Sequence, residues 1–126
     1  MTLSRSPEIL LAEAQARVQA LQQAVSIDPQ SAGAMRDLVN ALFLNQNYAE
    51  ALDAMDALAK KETPPPGSWF VRAICYDKLS RMVEAIEAYQ KFLDLDKGRN
   101  ESQDFQARGR IAALQHELAQ LPKKKK

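Results

Sequence analysis

The side chains that could carry out covalent or metal chemistry are few in this sequence and stand apart from one another. His116 is the single histidine and Cys75 the single cysteine. A zinc site, or a nucleophile with its base, needs at least two such groups close together, and neither residue has a second histidine or cysteine near it in sequence. Glycine-rich phosphate-binding loops are also absent from the sequence. The sequence therefore predicts no catalytic site, no metal and no cofactor.

Both residues have structural interpretations. We expect His116 to lie on the surface of the last helix, beside two other polar residues. We expect Cys75 to be a small packing residue inside a helix, and the alternative is a reactive thiol. The acidic residues are spread along predicted outer helix faces, where solvation and partners one turn away explain them.

The composition is typical of a soluble all-α domain. The chain has 126 residues, of which 46% are hydrophobic and 26% charged, enough for one domain with a modest core. Four Gly and six Pro leave long runs of strong helix formers. No apolar run approaches the ~20 residues that span a bilayer, and the opening MTLSRSPE lacks the apolar stretch of an export signal. We expect a cytoplasmic protein, although an exported chain without its signal would look the same.

The formal charge of +1 comes from one short segment. Lys123–Lys126 supply four of the 17 basic residues, so the rest of the chain, with 16 acidic residues, is net acidic. We expect residues 122–126 to form a disordered basic tail, because four like charges without apolar partners cannot bury anything. The tail either aids solubility or adds a weak attraction to anionic lipid or nucleic acid. A specific nucleic-acid interface and a transmembrane segment are not predicted.

An internal repeat with a period of about 34 residues is the main signal in the sequence. The stretch from Trp69 to Leu95 has a near copy upstream, in which large and small residues fall at matching places. The matching pairs are Trp69 and Met35, Ala73 and Val39, Tyr76 and Leu42, Ala85 and Ala51, Tyr89 and Met55, and Phe92 and Leu58. Each copy places an apolar stripe on two successive helices, which predicts packed helix pairs.

The repeat defines the expected helices of a single domain over residues 1–121. A leading helix over 7–27 begins at a serine cap and proline, and its stripe runs through Leu11, Ala14, Val18, Leu21 and Val25. Helix pairs follow in residues 32–65 and 66–99, and a long capping helix covers 101–121. In that last helix Phe105, Arg108 and Gly109 reproduce the spacing of Trp69, Arg72 and Ala73, at an offset two positions longer than the repeat.

These residues resemble the tetratricopeptide repeat (TPR) family, whose pattern is W-x2-L-G-x2-Y, then A-x3-F, then P. The second unit matches it at Trp69, Tyr76, Ala85 and Tyr89, and the first, weaker unit matches at Leu38 and Ala51. The resemblance implies a right-handed α-solenoid of antiparallel helix pairs, with about six helices. The departures are Arg72, Ala73 and Lys97, where leucine, glycine and proline are usual. We expect Arg72 to pair with a carboxylate at a helix interface.

The resemblance also implies a function. The first helices of successive TPR units line a concave groove that holds an extended peptide or a partner's helix. We therefore expect a non-catalytic adaptor or assembly scaffold with a protein partner, and the alternative is a dimerisation module whose groove is filled by a second copy. By repeat position the groove residues are Arg36, Asn40, Phe43, Phe70, Ile74, Asp77, Gln106 and Arg110.

Arg36 and Asn40 resemble half of the carboxylate clamp with which some TPR domains hold the acidic C-termini of heat-shock chaperones. An arginine fork and an amide can together bind a carboxylate. The matching position of the second unit holds Val71, and the last helix has no basic pair there. A general partner groove is therefore favoured over a complete chaperone clamp and over a surface that is merely solvated.

Overall fold

A computed structural model describes residues 6–122, and within them it contains six helices and no strand. The all-α prediction is confirmed. The helices divide into two compact units of three helices each, one up to Thr63 and the other from Pro64. Of the tail predicted to be disordered, residues 122–126, Lys123–Lys126 lie outside the described residues. The single domain over residues 1–121 stays a prediction.

Serine caps set the start of two helices in the first unit. The Ser6 hydroxyl accepts a hydrogen bond from the Ile9 N–H at 3.3 Å, and the Ser31 hydroxyl accepts one from the Ala34 N–H at 3.1 Å. Each cap satisfies an N–H that the helix itself leaves unpaired. The three helices are α1 (Pro7–Ile27), α2 (Ala32–Leu44) and α3 (Tyr48–Ala59).

The core of the first unit lies where α2 packs against α1 on one side and against α3 on the other. At 21 residues α1 is longer than the 13-residue α2 by about 12 Å at 1.5 Å per residue. The predicted stripe of α1 is therefore buried only in part: Val18 is buried, whereas Leu11 remains 53% exposed. The buried apolar residues are Val18, Leu38, Val39, Ala41, Leu42, Ala51, Leu52 and Met55.

The second unit has the larger aromatic core. Phe70 lies at its centre, with its ring 5.1 Å from the ring of Phe92 and 5.9 Å from that of Tyr89, measured between centroids. Such tilted and edge-on contacts suit the charge distribution of aromatic rings. The helices are α4 (Pro66–Lys78), α5 (Met82–Asp96) and α6 (Glu101–Gln120). The buried residues of this core are Phe70, Ala73, Ala85, Ala88, Tyr89, Phe92, Ala107 and Leu114.

The repeat is visible in the turns that join the helices of each pair. Gln46 and Ser80, which occupy equivalent places in the two copies, take left-handed backbone conformations with φ of 61° and 60°. The residue after each, Asn47 or Arg81, donates its N–H to the carbonyl five positions back, at 2.8 Å and 2.9 Å. This closure ends the first helix and reverses the chain. Both pairs thus use one turn geometry.

The repeat continues into α6 in a register that differs from the predicted one. Ala107, one repeat length after Ala73, has no accessible surface, whereas Phe105 is 80% exposed and Gly109 is exposed. The longer offset expected for α6 is therefore wrong. The position that faces α5 requires a small side chain, and Ala107 supplies it. Matching Phe105 to Trp69 instead shifts the predicted register of α6 by two positions.

The small residue of each helix pair should tolerate little enlargement. Ala51 on α3 has no accessible surface, while Ala49 on the same helix is exposed. We expect Ala51→Val to lower the free energy of unfolding by about 1 to 3 kcal/mol, because added methyl groups must displace α2. Ala49→Val lowers the helix propensity of α3 by the same amount as Ala51→Val, and it should lower the free energy of unfolding by less than about 0.7 kcal/mol. Urea unfolding followed by circular dichroism measures both, and equal losses would contradict close approach at Ala51.

Candidate functional site

The first unit presents three of the predicted binding residues along one side of α2. Arg36, Asn40 and Phe43 are spaced by four and then three positions, so they lie on one helix face. Arg36 and Asn40 are exposed. Phe43 is half-buried, and its ring lies edge-on to Tyr48 with 6.0 Å between centroids. Arginine and amide donors one turn apart can bind a carboxylate.

Arg36 already has an acidic partner within the unit. Its Nη1 donates to Oε2 of Glu62 at 2.5 Å, and the two side chains are 54% and 33% exposed. Glu62 follows α3, 26 residues along the chain, and was not among the predicted site residues. An ion pair this open to water contributes only about 0 to 1 kcal/mol. Glu62 therefore occupies the Arg36 guanidinium without holding it firmly.

A groove between α1 and α2 adjoins this face. Its volume is about 370 Å³, and Leu10 and Leu44 at its walls are 51% and 79% exposed. Asn40 belongs to both the groove and the face that carries Arg36. The prediction had no residue of α1 in the site. The full lining is Leu10, Glu13, Ala14, Arg17, Asn40, Ala41, Leu44 and Asn45.

The second unit joins two predicted site residues to each other. Arg110 on α6 donates from its Nε and Nη2 to the two carboxylate oxygens of Asp77 on α4, each at 2.8 Å. The buried Tyr89 on α5 donates its hydroxyl to the same carboxylate at 3.0 Å. All three helices of the unit thus meet at Asp77. A two-pronged guanidinium contact with a third donor is a strong, oriented arrangement.

This network fixes the charge of Asp77. Partial burial raises the pKa of that carboxyl, but the hydrogen bonds from Arg110 and Tyr89 and the positive charge of Arg110 outweigh it, so the pKa of Asp77 lies below its ordinary value. Burial, together with the carboxylate beside it, raises the pKa of Tyr89 well above the usual range. Asp77 is therefore ionised and Tyr89 is protonated at neutral pH.

The remaining predicted residues of the second unit differ in accessibility. Phe70 is only 7% exposed and belongs to the core, and Ile74 packs against that core. Gln106 is exposed on α6 and donates to the Ser102 hydroxyl at 3.4 Å. Truncating Phe70 would therefore disturb the fold, whereas Gln106 is open to a partner.

Arg72 is buried, with 8% of its surface exposed. Its guanidinium carbon lies 5.3 Å from the centroid of the Trp69 ring, and the Lys91 ammonium lies 5.8 Å from the same ring. A guanidinium over an indole is stabilised by the charge distribution of the ring. Arg72 is thus not free in solvent. Its predicted pairing with a carboxylate stays a prediction.

The residues considered for chemistry lie where the sequence placed them. Cys75 is fully buried, and burial raises the pKa of its thiol to about 11 despite the nearby charge of Arg72. The thiol is therefore a packing group, and His116 is exposed as expected. Within residues 6–122 no three His, Cys, Asp or Glu side chains are grouped to hold a metal ion. None of the helices described there is long and apolar enough to cross a membrane.

Comparison with known proteins decides the family. A family model described as tetratricopeptide repeat matches the chain twice, over residues 11–66 and residues 37–100. The two matches overlap and together extend over more than half of the chain. The chain belongs to the tetratricopeptide repeat family. The resemblance inferred from Trp69, Tyr76, Ala85 and Tyr89 is thereby confirmed.

Similar proteins include several Hsp70-Hsp90 organizing proteins. Hsp70-Hsp90 organizing protein 1 of Glycine max is 33% identical over 98 residues, which cover 76% of this chain. Hsp70-Hsp90 organizing protein 2 of Arabidopsis thaliana and Hsp70-Hsp90 organizing protein of Triticum aestivum are 32% and 31% identical over the same length. The match spans 17% of the length of each relative. These findings identify the chain as a protein-binding helical repeat.

The Asp77 network of this TPR chain should contribute to stability in a pH-dependent way. We expect Asp77→Asn to lower the free energy of unfolding by about 1 kcal/mol at neutral pH, a charged hydrogen-bond value reduced because Arg110 is partly exposed. Glu87→Gln, which removes an exposed carboxylate from α5, is the matched control and should change little.

Acid should remove the difference between Asp77→Asn and the wild type. Because the folded-state pKa of Asp77 is lowered, its contribution is present above the ordinary aspartate pKa of about 4 and is lost as the pH falls through the folded-state value. Urea unfolding at a series of pH values measures this convergence. A difference that grew in acid would contradict the assigned charge of Asp77.

Proposed function

We propose that this TPR chain is a non-catalytic adaptor or assembly scaffold that binds a peptide or a partner's helix in the concave groove lined by the first helices of its repeats. The observation that carries the proposal is the exposed pair Arg36 and Asn40, one turn apart on α2 of a TPR protein. A guanidinium and an amide so spaced offer donors to a carboxylate.

The chemistry of unit one favours a partner that is acidic and also carries an apolar side chain. Arg36 and Asn40 would receive the carboxylate, and the neighbouring groove walls, Leu10 and Leu44, would receive the apolar group. The names of the relatives make Hsp70 and Hsp90 the first partners to test. One repeat after Arg36 and Asn40 the second unit holds Phe70 and Ile74, so it supplies no second polar pair and a full chaperone clamp is not part of the proposal.

Glu62 would act as an internal competitor in this binding. A partner carboxylate has to take the place of the Glu62 side chain on Arg36, which is a weak and solvent-exposed contact. Arg110 differs, because it donates two hydrogen bonds to Asp77 and Tyr89 donates a third to the same carboxylate. We therefore assign the exchangeable basic site to Arg36 and a structural role to Arg110.

The alternative function is self-association as a dimerisation module. Exposed apolar side chains favour it, notably Leu10 and Leu11 on α1 and Phe105 on α6. Large exposed apolar groups often mark protein contacts. In that case the surface would be filled by a second copy of the chain rather than by another protein.

Two substitutions at one ion pair should change partner binding in opposite directions. We expect Arg36→Glu to weaken binding of an acidic peptide about tenfold, a change of about 1.4 kcal/mol. Glu62→Gln should strengthen it, by up to about fivefold, because the guanidinium no longer has a competing charge. Isothermal titration calorimetry with purified Hsp70, Hsp90 and their C-terminal peptides measures both changes.

Lys60→Glu is the matched control for Arg36→Glu. It makes the same change in net charge at an exposed position that follows α3. Lys60→Glu should weaken binding only slightly, through long-range charge that salt screens. Equal weakening by Arg36→Glu and Lys60→Glu, or no gain from Glu62→Gln, would remove the assignment of the carboxylate site to Arg36.

Light scattering separates the adaptor from the dimerisation module. The adaptor proposal predicts a monomer at low micromolar concentration, because its groove binds another protein and not a second copy of the chain. If a dimer persists at that concentration, and Leu10→Ser with Leu11→Ser dissociates it while the helix content is kept, the dimerisation module is supported instead.

A further inference from the structure

Two carboxyl groups lie buried together at the junction of α5 and α6. Asp96, the last residue of α5, is 2% exposed, and Asp104, in the first turns of α6, is 4% exposed. Both acids border the turn that joins the two helices. Asn100 in that turn donates to Asp96, a Cβ placed on Gly98 would lie 3.9 Å from Oδ2 of Asp104, and each carboxyl shifts the pKa of the other. Two carboxylates buried at one turn repel each other strongly if both are ionised. The pair therefore needs a proton or a cation between its carboxyl oxygens.

The two acids differ in their other partners. Asn100 donates its backbone N–H to Oδ2 of Asp96 at 2.9 Å and its side-chain amide to Oδ1 at 2.5 Å. Asp104 has no such donors, and among the described atoms its Oδ1 is buried without a hydrogen-bond partner. Hydrogen bonds stabilise the charged form of Asp96, whereas Asp104 lacks that support. The bare carboxyl is the one better suited to hold a proton.

The surrounding charges agree with this division of roles. Burial, followed by the hydrogen bond and charge of Asp96, raises the pKa of Asp104, and Glu101 adds to the rise while Arg108 opposes it. The backbone N–H of Asn100 is the largest influence that holds the pKa of Asp96 down, and the backbone N–H of Arg99 assists. Besides the two acids themselves, the groups that act on the pair come from the connecting turn and from α6.

We propose that Asp104 keeps its proton and donates it to the Asp96 carboxylate, so that one shared proton closes the α5–α6 junction and its loss at higher pH loosens α6. Loosening would affect more than this turn. Ala107 and Leu114 of α6 are almost wholly buried in the core of the second unit, and Arg110 holds Asp77. Release of α6 would therefore expose the apolar core of this unit and break the Asp77 network.

The direction of the pH effect follows from the raised pKa of Asp104. Such a group adds stability that is complete below its unfolded value of about 4 and is lost as the pH rises through the folded-state value. Asp77, with its lowered pKa, acts in the opposite direction in acid. The second unit should therefore be most stable in mildly acidic solution and should lose stability as the pH rises further.

Asp104→Asn tests the shared proton, because an asparagine amide donates to Asp96 at every pH. We expect the folding equilibrium constant of the wild type to fall relative to that of Asp104→Asn as the pH rises from 4 to 8, by at most about tenfold per pH unit. Asp94→Asn removes an exposed carboxylate of α5 and should follow the wild type. Urea unfolding of the full chain gives all three profiles. Parallel profiles for wild type and Asp104→Asn would overturn the proposal.

Two measurements on the wild type keep the proposal testable if Asp104→Asn does not fold. Carbon-13 chemical shifts of the aspartate carboxyls should show one group of the pair titrating above the ordinary value of about 4. Hydrogen exchange of α6 amides, corrected for the intrinsic rate, should accelerate over the same pH range. Titration of both carboxyls at or below the ordinary value would overturn the shared proton. So would stabilisation at neutral pH by Ca²⁺ or Mg²⁺, which would mean that a cation lies between the acids.

Discussion

Close approach of helices at alanine is the constraint on which the rest of this structure depends. Ala51, Ala73, Ala85 and Ala107 have no accessible surface. They form two series, since Ala85 follows Ala51, and Ala107 follows Ala73, by one repeat length. A side chain of one carbon lets two helix backbones come together, so the larger neighbours pack into the spaces on either side. In the second unit Ala73, Ala85 and Ala107 belong to the same buried core as the aromatic residues.

The sequence was sufficient to predict where helices begin and which helices pair, because contacts between residues close in sequence determine both. Serine hydroxyls before α1 and α2 specify where those helices begin, and the period of the apolar repeat specifies how the helices pair. The predicted register of α6 is wrong because it matches Phe105 to Trp69. Burial of a small residue, Ala107, outweighed the similarity of two aromatic residues.

The contacts of the candidate site were only partly predictable, for a physical reason. Arg36 and Asn40 could be placed on one face because helix geometry relates residues one turn apart. The partner of Arg36 is 26 residues away and that of Arg110 is 33 residues away, outside the arginine's own helix in each case. Ion pairs between separate helices depend on side-chain reach in three dimensions. The two arginines predicted for the site therefore differ: Arg36 forms an exposed ion pair, whereas Arg110 belongs to a hydrogen-bonded network of three helices.

The burial of Cys75 gives this chain a reporter of its own motions. The thiol has no accessible surface and a pKa of about 11, so in the packed state it is closed to reagents and almost wholly uncharged at neutral pH. A thiol-modifying reagent can reach it only in molecules whose second unit has opened. Since no other cysteine is present in the sequence, the rate of modification reports how often the second unit opens in the native chain, without any engineered label.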